Sequence, residues 1–189
     1  MFALHLTSLL GSYVSKNQSI ENAIAGMKAG SRESLSDFYE LCKGSIYGFA
    51  LSLLKNKEDA EDILQDVLLK IYHSAANYKE NGNPMPWILT ITKNLSLDKL
   101  REKKRLSYKD DDEWENIAFT NDTLDEEDKY YLTQMLSGLN DEERQIVILH
   151  ASAGLKHREI ARLLNMKLST CLSKYTRAIK KLQNNNEGI

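Results

Sequence analysis

One face of a predicted helix carries the residue types that bind nucleic acid. At 100° per residue its members fall within a stripe about 60° wide, and they are Trp87, Asn94, Asp98, Arg101 and Arg105. Asparagine and arginine hydrogen-bond base edges or phosphates, and an indole ring offers a stacking surface to an unpaired base. Tyr78, in the loop before the helix, is a second candidate for stacking. The stripe predicts a site for single-stranded bases.

The same residues also fit a purely structural arrangement. Trp87 and Tyr78 are side chains that a hydrophobic core would contain. Asp98 and Arg101 are spaced as an i, i+3 ion pair on a helix surface. The spacing alone leaves this alternative open.

Residues 156–182 have the pattern of a helix-turn-helix. A short apolar helix is followed by Asn165, which tolerates the turn, by Met166, which fills the junction, and by Ser169, which is expected to cap the second helix. The apolar stripe of the second helix comprises Leu168, Cys171, Leu172, Tyr175, Ala178, Ile179 and Leu182. Its outer face is basic and rich in hydroxyls, and the candidates for reading DNA bases are Thr170, Ser173, Lys174 and Arg177. The alternative is an ordinary amphipathic helix with solvated lysines.

Charge is distributed very unevenly along the chain, although the formal net charge is only −2. Residues 110–128 contain ten acids and no lysine or arginine. Residues 93–109 carry seven basic and two acidic side chains, and residues 156–181 carry eight basic and one acidic. This asymmetry predicts two polyanion-binding surfaces separated by a segment that repels polyanions.

The apolar periodicity of the chain predicts an all-α fold. Helical periodicity recurs throughout the chain, notably over 59–72, 87–105, 141–151, 156–164 and 168–183, and no alternating run indicates a strand. The acidic segment has little apolar periodicity and marks a linker. We therefore expect two small helical domains joined by an acidic linker, the second with a C-terminal helix-turn-helix. The boundaries are an N-terminal extension at 1–22, a first domain at 23–105, the linker at 106–128 and a second domain at 129–185.

Other functional classes have little support. Asp110, Asp111, Asp112 and Glu113 are consecutive acids that lack the convergent geometry of a divalent-metal site, so no enzyme, catalytic residue or cofactor is predicted. His150, His157 and Cys171 make a weak zinc pattern, for which exposed or core histidines are the alternative. Two widely spaced cysteines, Cys42 and Cys171, indicate a reducing cytoplasm, and no apolar run is long enough to insert into a membrane.

The motifs in this order resemble those of the extracytoplasmic-function (ECF, group IV) sigma factors of the sigma-70 family. Region 2 of that family is resembled by three segments, Asp59–Asp66, Pro86–Asn94 and Leu97–Arg101. Leu139–Arg144 and Gly154–Ala161 resemble region 4. The resemblance covers about residues 23–105 and 129–183, in the order and spacing of the family.

The resemblance implies roles that composition does not show. It implies that the chain directs promoter recognition, −10 strand opening and transcription initiation by core RNA polymerase, with an anti-sigma factor as a further partner. The helix over 59–72 would dock on the polymerase through Asp62, Gln65 and Asp66. The stripe from Trp87 to Arg105, with Tyr78, would capture the −10 element of promoter DNA, and the C-terminal helix would read the −35 element as duplex.

One position departs from the family pattern. Leu172 stands where many members have a basic residue, and because it lies on the apolar stripe we expect it to pack and not to read bases. Reading then shifts to Ser173, Lys174 and Arg177. The alternative function is a two-domain helix-turn-helix regulator that binds DNA without polymerase, which leaves the 59–72 helix and the Trp87 stripe unexplained.

Overall fold

The structure, a computed structural model, describes residues 16–106, 136 and 138–186. Within these ranges it contains α-helices and no strand, which confirms the all-α prediction. The helices are α1 (16–28), α2 (Glu33–Leu54), α3 (Lys57–Ser74), α4 (Met85–Leu106), α5 (Asp141–Ala151), α6 (His157–Leu163) and α7 (Leu168–Asn186). The acidic linker, apart from Leu106, lies outside the described residues, as do residues 129–135 and 137 of the second domain.

Helix α1 belongs to the first domain. Ile20 and Ile24 are fully buried in its core, and the carboxylate of Glu21 is buried as well. The boundary predicted between residues 22 and 23 therefore falls inside a helix that packs on the core. The buried apolar positions of α1 recur at helical spacing on both sides of that boundary, at Ile20, Ala23, Ile24 and Met27.

Helices α2, α3 and α4 pack against one another and form the frame of the first domain. Helix α2 ends where Lys55 adopts a left-handed conformation and its N–H bonds to the carbonyl of Leu51. The side chain of Asn56 then caps α3 by accepting from the N–H of Asp59 at 2.9 Å. This tight junction makes α2 and α3 a helical hairpin, with Ile63, Val67 and Ile71 of α3 buried inside.

The second domain packs directly on the first. One continuous cluster of buried apolar side chains runs from α1–α4 into α5, α6 and α7. Helix α5 contacts α2, and α6 contacts α4. The two predicted domains are thus in contact along buried surface.

Two helical glycines differ in the space that a side chain would have, and Gly26 marks a close approach of α1 to α2. A Cβ at Gly26 would lie 2.0 Å from Oγ and 2.7 Å from Cβ of Ser34, whereas a Cβ at the exposed Gly44 in α2 would meet nothing within 4 Å. We expect Gly26→Ala to destabilise the fold by about 1–3 kcal/mol through overpacking. Gly44→Ala should stabilise it by about 0.5–1 kcal/mol because alanine is the better helix former. Urea unfolding midpoints measure both, and a Gly26→Ala protein as stable as the wild type would contradict the close approach.

Candidate polymerase and nucleic-acid interfaces

The outer face of α3 is the surface predicted to dock on polymerase. Asp62, Gln65 and Asp66 are all exposed on it, at i, i+3 and i+4. Leu69 continues the same face at i+7 and is 59% exposed. The face thus combines exposed acidic and amide groups with one exposed apolar side chain.

Asp62 also makes a contact within the first domain. Nζ of Lys99 in α4 donates to Oδ2 of Asp62 at 2.7 Å and lies 3.4 Å from Oδ1 of the mostly buried Asp59. Lys103 forms a second ion pair with Asp59. The hydrogen bond to Asp62 is the main reason that the pKa of Lys99 is raised. Asp62 therefore helps to hold α4 against α3, a contact that Gln65 and Asp66 are not seen to make.

The stripe on α4 is mostly open to solvent. Asn94, Asp98, Arg101 and Arg105 are exposed, and Trp87 is half-buried at the start of the helix. Arg101 donates to Asp98 at 2.7 Å, with both side chains about two-thirds exposed or more. Such an exposed pair contributes only about 0–1 kcal/mol. Arg101 can therefore leave the carboxylate of Asp98 and bind a phosphate of DNA instead.

Tyr78 occupies a different environment from the rest of the stripe. It is 6% exposed, its hydroxyl donates to Oε1 of Glu21 at 2.7 Å, and its ring lies 4.5 Å from the ring of Trp87. The same Glu21 oxygen accepts from the N–H of Gly82 at 3.0 Å. Burial, with the bond to Glu21, raises the pKa of Tyr78. In this structure Tyr78 is a core aromatic that anchors the loop on α1 and supports Trp87, so the expectation of an open stacking platform does not match its position.

The scaffold of the helix-turn-helix is fixed by capping and by one buried arginine. Asn140 and Glu143 form a capping box at the start of α5. Arg144 is buried, and its guanidinium donates to the carbonyls of Leu136 and Leu139. Asn165 has φ +54°, so the turn between α6 and α7 uses the left-handed conformation that the sequence predicted for it.

The predicted reading residues of α7 separate into two groups. Thr170, Ser173 and Arg177 are exposed on the outer face. Lys174 instead forms an ion pair with Glu142 of α5, and its side chain is only 17% exposed. Lys181 pairs in the same way with Glu143. The cations that face α5 thus hold α7 against α5, whereas Arg177 remains exposed on the outer face.

Two details of α7 correct the sequence predictions. The helix begins at Leu168, so Ser169 is its second residue and not its cap. Leu172 is 45% exposed, and the expectation that it packs is wrong. The buried direction is set by Cys171 and Ala178, which are fully buried, and Leu172 lies about 100° away from them around the helix. The apolar stripe read from the sequence was wider than the surface that the domain covers.

The two histidines lie in one aromatic cluster. The rings of His150 and His157 are 4.6 Å apart, and Tyr175 of α7 meets both edge-on. Burial, with His150 nearby, lowers the pKa of His157. The residues that the structure describes contain no group of three or more His, Cys, Asp or Glu placed to hold a metal ion. Asp110–Glu113, the other metal candidate, falls outside the described residues.

Polar contacts join the two domains around their shared core. Lys93 Nζ on α4 donates to the carbonyl of Leu163 on α6 at 2.6 Å. Ser45 Oγ on α2 lies 3.0 Å from the carbonyl and 3.3 Å from Oγ of Ser152. Two further contacts are the ion pair Lys55–Asp141 at 2.9 Å and the hydrogen bond Asn83–Glu159 at 2.8 Å. The α4 stripe and the helix-turn-helix are therefore neighbours in this arrangement.

A groove of about 510 Å³ marks the line where these surfaces meet. Trp87 and Thr90 form one wall, and Glu159 and Arg162 of α6 form the other. The stacking candidate Trp87 is thus faced by the second domain.

Sequence reasoning missed Leu69, Glu21 and the contacts between the domains. Leu69 could have been predicted as part of the docking face, because it follows Asp62, Gln65 and Asp66 at helical spacing. Glu21 could not, since its partners are about sixty residues further along the chain.

Comparison with known proteins gives a consistent family. A family model described as Sigma-70 region 2 matches residues 38–106, and one described as Sigma-70, region 4 matches residues 129–182. The chain is 25% identical over 162 residues to the ECF RNA polymerase sigma factor SigK of Mycobacterium ulcerans, covering 82% of this chain and 87% of that protein. It is 23% identical to SigK of Mycobacterium bovis, covering 80% and 84%.

Solved structures share the fold. The sigma factor RpoE of Bartonella quintana, in complex with the anti-sigma factor NepR, matches with a TM-score of 0.60 and 23% identity over 77% of this chain and 92% of that one. CnrH, in complex with the cytosolic domain of CnrY, matches with a TM-score of 0.58 and 17% identity over 90% and 98%. No helix in the described part of the chain has the length and apolar character to span a membrane.

Proposed function

Because this chain belongs to the sigma-70 family, as an RNA polymerase sigma factor of the extracytoplasmic-function type, we propose a division of promoter recognition between its two domains. The observation that carries this proposal is that two different helices expose side chains able to bind nucleic acid, on the α4 stripe and on the outer face of α7. The stripe, with Trp87, Asn94, Asp98, Arg101 and Arg105, captures the −10 element. The α7 face, with Thr170, Ser173 and Arg177, reads the −35 element. We further place the protein in group IV of the family and in the cytoplasm, without a catalytic activity of its own.

Promoter binding requires the two domains to separate. The two elements are about 25 base pairs, or about 85 Å, apart along the duplex. In this structure the α4 side chain Lys93 contacts Leu163, and α7 begins five residues later. Five residues span at most about 18 Å. The arrangement described here is therefore a closed state that opens when the sigma factor engages polymerase and DNA.

An anti-sigma factor fits the same scheme as a partner. The solved relatives RpoE and CnrH are each in complex with another protein, the anti-sigma factor NepR and the cytosolic domain of CnrY. We propose that a corresponding protein binds this chain and favours a state in which the DNA-reading surfaces are not used.

Run-off transcription with core polymerase and a genomic promoter library tests the function as a whole. Transcripts that depend on the added chain are expected from a subset of promoters. Sequence-specific binding to duplex DNA by the free chain, with no effect on polymerase, would favour a regulator that acts without polymerase.

The docking face on α3 is tested by substitutions that spare the α3–α4 contact. Asp66→Lys and Leu69→Ala are each expected to weaken the affinity for core polymerase at least about tenfold, or about 1.4 kcal/mol. Both side chains are exposed, so the fold should be unaffected. Asp62→Lys is less informative because it also places a cation beside Lys99.

A matched control is Asp37→Lys, which reverses an exposed acid on α2. Fluorescence anisotropy of the labelled chain, titrated with core polymerase, measures each dissociation constant, and circular dichroism confirms retained helicity. Equal affinities for the Asp37→Lys and Asp66→Lys proteins would remove the docking role from α3.

A further inference from the structure

The start of α7 exposes two large apolar side chains. Leu168 is 46% exposed and Leu172 is 45% exposed, although Cys171 and Ala178 in the same helix are fully buried. The two leucines are four residues apart, so they lie one above the other on the helix surface. Among the described residues, Leu69 is the other large hydrophobic side chain with comparable exposure.

The side chains around this leucine pair indicate which class of partner binds it. Ser169, Ser173 and Thr176 are exposed beside it, and Arg177 and Lys180 are exposed further along. Helix α7 contains no acidic residue. Glu142 and Glu143 of α5 are paired with Lys174 and Lys181 on the side of α7 that faces α5. The charged side chains exposed along this face are positive, which favours a polyanion as the partner of the leucine pair.

The major groove of DNA offers such a surface. It presents hydrogen-bonding groups at every base pair, and its apolar feature is the C5-methyl group of thymine. The N-terminal residues of a recognition helix are those that contact base edges. Leu168 and Leu172 are the first and fifth residues of α7, within its first two turns.

We propose that Leu172, with Leu168 beside it, is a specificity-determining residue that reads thymine methyl groups in the −35 element. The inference rests on the proposed function of α7 as the −35 reader. Ser173 and Arg177 would supply the hydrogen bonds, and the leucine pair would select a thymine at one or two neighbouring positions. Many family members have a basic residue at this position, and leucine in its place would change which base is recognised.

A methyl-deletion experiment tests the proposal. Holoenzyme made from the full chain and core polymerase selects sites from duplex promoter fragments with a randomised −35 region. The selected site is then synthesised with thymine or with deoxyuridine, which lacks only the methyl group, at each −35 position. Loss of the methyl contact is expected to weaken closed-complex binding about 3- to 5-fold at one or two adjacent positions.

Variants of the chain assign that effect to a residue. With Leu172→Ala the thymine and deoxyuridine sites should bind equally, and Leu172→Met should retain most of the difference because it keeps an apolar side chain. Ser169→Ala, on the same exposed face, is the matched control: it should change the affinity without changing the ratio between the two bases. Leu172 is exposed, so these variants should fold, and their helicity is measured in parallel.

The outcomes separate this inference from the proposed function. An unchanged thymine-to-deoxyuridine ratio in Leu172→Ala, or a selected −35 site without methyl dependence, would overturn the role of Leu172 while α7 remained the −35 reader. Selection that shows no base preference at all in the −35 region would refute the proposed role of α7 and, with it, the inference.

Discussion

A disulfide between positions 45 and 152 is expected to abolish promoter opening and transcription, and reduction is expected to restore both. Ser45 on α2 and Ser152 after α5 have their Oγ atoms 3.3 Å apart across the contact between the domains. Sulfur atoms at these positions need only a small rotation to reach the disulfide distance of about 2.05 Å. The bond would hold the closed state, in which one molecule cannot span the −10 and −35 elements.

The native thiols should not compete with this bond. Cys42 and Cys171 are both buried, and burial raises the pKa of Cys42 to about 12. Thiolate is the reactive form, so buried thiols of this kind are poor nucleophiles. Peptide mapping of the oxidised Ser45→Cys, Ser152→Cys double variant verifies which cysteines are linked.

Open-complex formation is measured by permanganate reactivity of the −10 region, with and without dithiothreitol. The single variants Ser45→Cys and Ser152→Cys, treated with the same oxidant, are the controls and should transcribe like the wild type. Full activity of the verified disulfide form would show that the domains need not separate, and the closed state would then have no part in the mechanism.

Replacing Trp87 with alanine is expected to spare the closed complex and to impair strand opening. Stacking on an aromatic side chain contributes about 1–3 kcal/mol per base, so the loss in opening should be about 5- to 150-fold. A template with a pre-melted −10 bubble should restore much of the lost transcription. Arg177→Ala should behave in the opposite way, with a loss already in the closed complex that the bubble does not restore.

Stability is the main alternative explanation for the Trp87 variant, because its ring contacts the ring of Tyr78. Two controls address it. Tyr78→Phe removes the hydrogen bond to buried Glu21, which should destabilise the fold by about 1–3 kcal/mol while Trp87 remains. Trp87→Tyr retains a stacking face and should keep part of the opening activity. A Tyr78→Phe protein as defective in opening as Trp87→Ala would contradict the assignment of stacking to Trp87.

The helices could be predicted from the sequence alone. Local periodicity was sufficient for this, because a helix needs only neighbours three and four residues away to define its buried face. Residues 59–72, 87–105 and 141–151 were therefore predicted within two residues of α3, α4 and α5. The family motifs, read in order, indicated the sigma-70 family that the family models support. The exposed residues of the α4 stripe also followed from periodicity alone.

Which of the candidate side chains are available depends on contacts between residues far apart in the sequence. Tyr78 is enclosed because Glu21, distant in sequence, supplies a buried acceptor for its hydroxyl. Lys174 is drawn into an ion pair because α5 presents Glu142 beside it. Leu172 is exposed because the core reaches only as far as the side of α7 that carries Cys171 and Ala178. Helical periodicity gives the direction of a side chain, but the neighbours of that side chain depend on how the helices pack. The packing of the second domain on the first also produces the closed state that we propose.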